Sequence, residues 1–85
     1  MKSKFLLYAN AVTLTRRAKV SIPQMRDERS ARSVQSALKF VGGVQSVGIS
    51  LDKSEAHVRF DPEKVDPRQL GVAVHALGYE GIVID

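Results

Sequence analysis

Ser46-Val47-Gly48-Ile49-Ser50-Leu51-Asp52-Lys53-Ser54-Glu55-Ala56-His57-Val58-Arg59-Phe60 is the stretch from which the fold can be read. Val47, Ile49 and Leu51 alternate with Ser46, Gly48 and Ser50, and Ala56, Val58 and Phe60 alternate with Glu55, His57 and Arg59. A period of two is the strand period, so each run has one apolar and one polar face. Asp52-Lys53-Ser54 between them has turn composition, and the pair therefore predicts a β-hairpin. The alternate positions are polar on both strands, which predicts a sheet packed on one side and open to water on the other.

Upstream, Asp27-Glu28 opens a helix, with Asp27 as N-cap and Glu28 at the positive end of the helix dipole. Ala31, Val34, Leu38 and Val41 recur at spacings of three and four, with Ala37 beside them, and Gly42-Gly43 stops the helix. Before it, Ala18, Val20 and Ile22 alternate with Lys19 and Ser21 as a strand closed by Pro23. Downstream, Asp61-Pro62 breaks the hairpin, and Asp66 as N-cap with Pro67 at the first helical position starts a second helix. Its buried face is expected to be Leu70, Ala73, Val74 and Leu77, with Gly78 ending it and Glu80-Gly81-Ile82-Val83-Ile84 as a last strand. The order is β-α-β-β-α-β, an α+β, ferredoxin-like sandwich with two helices on one face of an antiparallel sheet. Residues 18–85 carry that pattern, and residues 1–17 are an N-terminal extension. Its apolar part, Phe5 to Leu14, has no clean period, so an extra strand, a short helix or an arm are all open.

Eighty-five residues allow one small core, and the absence of cysteine excludes disulfides, thiolate metal sites and thiol catalysis. No apolar run approaches the roughly 20 residues needed to cross a bilayer. Met1-Lys2-Ser3-Lys4 followed by Phe5 to Ala9 mimics a signal peptide, but the apolar stretch is shorter than the about 7–15 residues such a segment needs. The net charge of +4 is unevenly placed, with eight of the 13 basic side chains in residues 1–32 against Asp27 and Glu28. A basic front of this kind favours an acidic or anionic partner surface.

From Val20 onward the chain resembles the heavy-metal-associated domain shared by copper chaperones, mercury-binding periplasmic proteins and the N-terminal modules of metal-transporting P-type ATPases. The resemblance is carried by Met25, Val34, Ala37-Leu38, Gly43-Val44, Val47, Ala56-His57-Val58-Arg59-Phe60-Asp61-Pro62, Leu70, Ala73-Val74 and Gly78-Tyr79-Glu80. In that family the metal loop reads Met-x-Cys-x-x-Cys, whereas this chain has Met25-Arg26-Asp27-Glu28-Arg29-Ser30. Asp27 and Ser30 stand where the resemblance implies two thiols. Copper(I) and mercury(II) are soft ions suited to thiolates, while carboxylate and hydroxyl oxygens suit harder ions. One carboxylate and one hydroxyl fall well short of the roughly six to eight oxygens calcium takes. Arg26 and Arg29 add repulsion toward any cation. Family-type copper(I) binding is therefore expected to be lost, and no tightly bound cofactor is expected.

Three functions follow as expectations. The first is a docking or regulatory module of a metal-transport or metal-resistance system. Its partner would be a protein, either a metal-transporting ATPase or another domain of the same chain, and its location cytoplasmic, with the periplasm as the other option. Arg26, Arg29, Arg32, Lys19, Tyr79 and Phe40 are the candidate docking residues, with Arg16 and Arg17 expected around the same helix N-terminus. The second is a divalent-metal protein using Asp27, Ser30, Met25 or a histidine as non-cysteine ligands. Against it, Asp27 is read first as a cap, Met25 as core, and His57 and His75 as separate surface histidines. The third is an anion or nucleic-acid binder, which the lack of stacking aromatics on the sheet face disfavours for nucleic acid. Enzyme chemistry is not expected, since neither a nucleophile elbow nor a phosphate-cradling loop is present. Monomer and strand-paired dimer both stay open, because the extension could add or block a sheet edge.

Overall fold

The computed structural model describes residues 14–84, and the expectations for Phe5 to Ala11 and the rest of residues 1–13 lie outside the described residues. The elements are β1 (Arg16–Ser21), α1 (Glu28–Lys39), β2 (Val44–Ser50), β3 (Glu55–Phe60), α2 (Pro67–His75) and β4 (Ile82–Ile84). They form one antiparallel sheet in the order β2-β3-β1-β4. β1 and β3 are central, in register from Arg16 opposite Phe60 to Ser21 opposite Glu55. Both helices cover the same face, α1 against β2 and β3, α2 against β1 and β4. This is the expected ferredoxin-like α+β sandwich.

The alternation seen in the sequence is the alternation of burial. Ala18 and Val20 of β1, Val47 of β2, and Ala56, Val58 and Phe60 of β3 point into the helix layer and are buried. Val34 and Leu38 of α1 and Leu70 and Val74 of α2 meet them, and Ile22, Met25 and Val65 close the ends. Arg17, His57, Arg59, Ser46 and Gly48 fall on the uncovered side and are exposed.

Several local expectations shift. β1 begins at Arg16, two residues before the sequence alternation becomes clear. β2 stops at Ser50, and Leu51 opens the turn instead of ending the strand, its carbonyl accepting from Ser54 N–H at 3.1 Å. β4 is only Ile82–Ile84, because the Glu80 N–H is taken by Gln24 Oε1 at 3.1 Å and leaves the ladder. Leu77 is not on the buried face. α2 ends at His75, and the turn closed by Gly78 N–H on the His75 carbonyl at 2.8 Å swings Leu77 outward, 39% exposed. Among the described residues no helix is long and apolar enough to cross a membrane.

The two glycines after α1 do different work. Gly43 has φ +104°, and its carbonyl accepts from Asp61 N–H at 2.9 Å, which seats the β3–α2 loop. A methyl group there would meet Val65 Cγ2 at 2.6 Å and Lys64 Cβ at 2.8 Å. Gly42 has open space in the same direction. Gly43→Ala is therefore expected to destabilise by about 2 kcal/mol or more, lowering Tm by roughly 8 °C or more. Gly42→Ala is expected to be neutral or stabilising by up to about 1 kcal/mol. Equal Tm values for the two variants in a thermal melt would contradict this account of the turn.

Candidate functional site

Three connections meet at one end of the sheet: the β1–α1 loop (residues 22–27), the β2–β3 turn (51–54) and the α2–β4 loop (76–81). Ile22 N–H donates to the Ser54 carbonyl at 2.8 Å, and Ser54 Oγ donates to the Met25 carbonyl at 3.0 Å. Ser54 has φ +52°, a conformation that a side chain rarely adopts, and these two bonds hold it there. Gln24 Oε1 reaches across to Glu80 N–H. The β1–α1 loop is thus held from both sides.

Asp27 and Ser30 close a capping box at the start of α1. Asp27 Oδ1 accepts from the Ser30 N–H at 2.8 Å and lies 2.8 Å from Ser30 Oγ. The Ser30 hydroxyl has the Asp27 carbonyl at 2.9 Å as a second acceptor for its one proton. It accepts in turn from the N–H groups of Asp27 and Arg26, each at 3.2 Å. A hydroxyl has one donor and two acceptor lone pairs, and all three are committed. Ser30 is also 7% exposed. The bonds from Ser30, backbone first and hydroxyl second, with the charge of Arg29 adding, hold the Asp27 carboxyl below its ordinary pKa.

That donor set does not fit the family's cargo ions. The thioether of Met25, the one soft donor in the loop, is fully buried in the core. Only Asp27 Oδ2 remains without a hydrogen bond among the described residues. His57 lies on the open sheet face, 3.3 Å from Glu55, and His75 is exposed at the end of α2, where it lines a surface hollow with Glu80, Gly81 and Ile82. Among the described residues no three His, Cys, Asp or Glu side chains gather as a metal site.

The candidate docking residues do not form one surface. Arg26, Arg29 and Arg32 are exposed around the start of α1, where Arg26 Nε donates to the Pro23 carbonyl at 3.3 Å and Arg32 pairs with Glu28 at 3.5 Å. Arg26 and Arg29 have no ion pair among the described residues. Tyr79 is half-buried and packs on the core in the α2–β4 loop. Lys19 is on the open sheet face, paired with Glu55 at 3.7 Å. Arg16 and Arg17 start β1 at the far end of the sheet, so they do not surround the α1 N-terminus. Phe40 follows α1 at its other end, about 18 Å down the helix axis, and is 92% exposed. Ser54 and Gln24, which brace the loop, were not legible as such. Their partners lie 29 and 56 residues away, and nothing local marks them.

The heavy-metal-associated domain profile matches residues 19–80. The copper chaperone CopZ of Staphylococcus haemolyticus is 30% identical over 61 residues, which are 72% of this chain and 90% of that protein. Oxidized MerP from Ralstonia metallidurans CH34 superposes with a TM-score of 0.79 at 28% identity, over 82% of this chain and 97% of its own. A copper-binding domain from HMA7, a P-type ATPase, gives a TM-score of 0.78 at 27% identity, over 82% and 95%.

The caps make acid stability a test of this geometry. Asp66 caps α2, and hydrogen bonds from the Arg68 side chain and then its backbone N–H hold its pKa at about 2. For both aspartates the folded pKa is lowered, so their stabilisation is present above the unfolded value near 4 and is lost as pH falls through the folded value. Asp27→Asn keeps a capping side chain without the charge. Urea midpoints for the wild type and Asp27→Asn are expected to differ at neutral pH and to converge as pH falls below about 4. Parallel curves across that window would show that the Asp27 carboxylate is not bonded as described.

Proposed function

The chain belongs to the heavy-metal-associated domain family, and from that premise we propose that it serves a metal-transport or metal-resistance system as a docking module without a thiol metal site. The reading is carried by one observation. At the two positions where the family resemblance places cysteines, Asp27 Oδ1 and Ser30 Oγ spend their bonding on each other and on backbone N–H groups. Oxygen donors so committed offer a soft ion nothing comparable to a thiolate pair. What remains at this end is electrostatic. Arg26 and Arg29 project beside a helix N-terminus, where the dipole and the guanidinium charges favour an acidic surface. A P-type ATPase domain is among the structural relatives, so an acidic face on such a transporter, or on another domain of the same chain, is the proposed partner. The module is not an enzyme in this reading and works in the cytoplasm.

Two experiments test it. In an amide NMR titration with copper(I) or zinc(II), the native chain is expected to show no saturable shifts at residues 24–31 or 78–80. The Asp27→Cys/Ser30→Cys variant is expected to bind copper(I) stoichiometrically, because the loop position survives and only the donors have changed. Saturable loop shifts in the native chain would overturn the reading. Retention of a solubilised metal-transporting ATPase on the immobilised chain is expected to fall at least tenfold for Arg26→Glu/Arg29→Glu and to weaken with salt. Retention that is indifferent to both changes would remove the basic end as the docking surface.

A further inference from the structure

The uncovered face of the sheet holds a hollow of about 480 Å³, rimmed by Arg17, Lys19, Ser46, Gly48, His57 and Arg59. These residues stand in two rows. Arg17 lies directly across from Arg59, and Ser46 follows Arg59 on the next strand. One step along, Lys19 lies across from His57, with Gly48 beyond it. Same-face positions on a strand are about 6.6 Å apart, so both rows open into one hollow. The second row has its counter-charge in Glu55, 3.7 Å from Lys19 and 3.3 Å from His57. Arg17 and Arg59 have no ion pair among the described residues. Directly opposed cross-strand residues have Cβ atoms about 4.5–5.5 Å apart, so two guanidinium groups rise from one place without an acid between them.

Gly48 is a second, independent feature of the same place. It stands in the interior of β2, where a glycine weakens a strand. Its φ is not positive, and a methyl group in its place would meet nothing nearer than the His57 carbonyl at 4.0 Å. Neither the backbone nor the packing of the fold therefore requires a glycine here. What the missing side chain provides is depth, because Gly48 and the small Ser46 keep β2 low beside the arginines. The opposed arginines and the strand glycine each cost stability in the free protein, and one bound ligand accounts for both.

Charge decides the class of ligand. Each guanidinium presents a planar fork of N–H donors suited to paired oxygens. A terminal phosphate brings a charge of about −1.5 to −2 and three acceptor oxygens, enough to neutralise both arginines. A carboxylate or one phosphate of a nucleic-acid backbone brings a single charge and leaves one arginine unmatched. The arginines lie on the central strands β1 and β3, so a peptide that pairs with a sheet edge does not reach them. The hollow is recessed, which suits a small molecule better than a membrane surface. We propose that the open sheet face binds a small, soluble phosphomonoester, with its terminal phosphate between Arg17 and Arg59 and the remainder of the molecule over Gly48. The site shares no residue with the arginines at the start of α1, so it stands or falls independently of the docking function.

An amide NMR titration of the full chain with phenyl phosphate, at neutral pH and constant ionic strength, tests the site. Saturable shifts are expected at Arg17, Gly48, His57 and Arg59, with a Kd of about 1 mM or below, and none at Arg26 or Arg29. Benzenesulfonate, similar in shape but singly charged, is expected to bind at least tenfold more weakly. Arg59→Gln is expected to weaken phenyl phosphate binding at least tenfold. Gly48→Val keeps every charge, suits a strand, and is expected to weaken binding as much by filling the hollow. Both positions are exposed, so the fold is expected to survive either change. Absent saturation, shifts centred on residues 26–30, or equal binding of benzenesulfonate would overturn the proposal. Binding that survives Gly48→Val would reduce the site to diffuse surface charge and overturn it as well. Binding of a phosphoserine peptide, single-stranded RNA or phosphatidic acid vesicles at least tenfold more tightly than phenyl phosphate would make the occupant a macromolecule or a membrane, and the proposal would fail.

Discussion

Only one face of the β2-β3-β1-β4 sheet is covered, and that one-sidedness governs where every strand side chain goes. With both helices on the same side, each strand buries one residue in two, and the helices bury a stripe against them. Phe60, Val58 and Ala56 on β3 and Val20 and Ala18 on β1 form the floor on which Val34, Leu38, Leu70 and Val74 rest. The opposite face accepts what a core would reject. Arg17 lies directly across from Arg59 there, and Lys19 across from His57. The like charges of Arg17 and Arg59 so placed cost stability. Water and salt screen them on an open face, and Glu55 lies close to both Lys19 and His57.

In the β1–α1 loop, the two positions to which the family resemblance gives thiols form a helix cap. A helix N-terminus leaves four N–H groups unbonded, and polar side chains at the cap and third positions are suited to take them. Asp27 and Ser30 occupy those two positions. The same spacing that the family resemblance gives to two thiols thus gives this chain a capping box. Once the oxygens are used in this way, the arginines around them no longer oppose a function, as they would oppose a cation. They turn the loop into a basic rim at the positive end of a helix dipole.

α1 therefore separates two surfaces of different chemistry. At its start are Arg26 and Arg29, without ion pairs among the described residues; at its end is Phe40, and the apolar groove shared with Ala73 and Leu77 runs along its flank from Arg32 to Val41. Charge at one end gives long-range attraction and salt sensitivity, whereas the groove gives short-range burial that salt barely alters. Lys19 and Arg17 belong to neither surface, since strand alternation sends them to the open face and places Arg17 near the far end of β1.

The sequence by itself determined the features that depend on near neighbours. The hairpin, the two amphipathic helices, both aspartate caps, the βαββαβ order and the loss of the thiol pair follow from periods of two and 3.6 and from residue identity at a cap. Phe40 as an exposed ring also follows from the helical period, and Met25 as core from the family resemblance. Tertiary structure alone decided what depends on distant partners. Glu80 leaves the last strand because Gln24 claims its N–H, and Leu77 turns outward where the loop beyond α2 closes on Gly78. Ser54 keeps a left-handed backbone because residues 22 and 25 bond it. Whether six basic residues form one patch or several depends likewise on which end of which element carries each. Periodicity assigns a residue to a face, but only the packed sheet and helices bring remote faces and loops together.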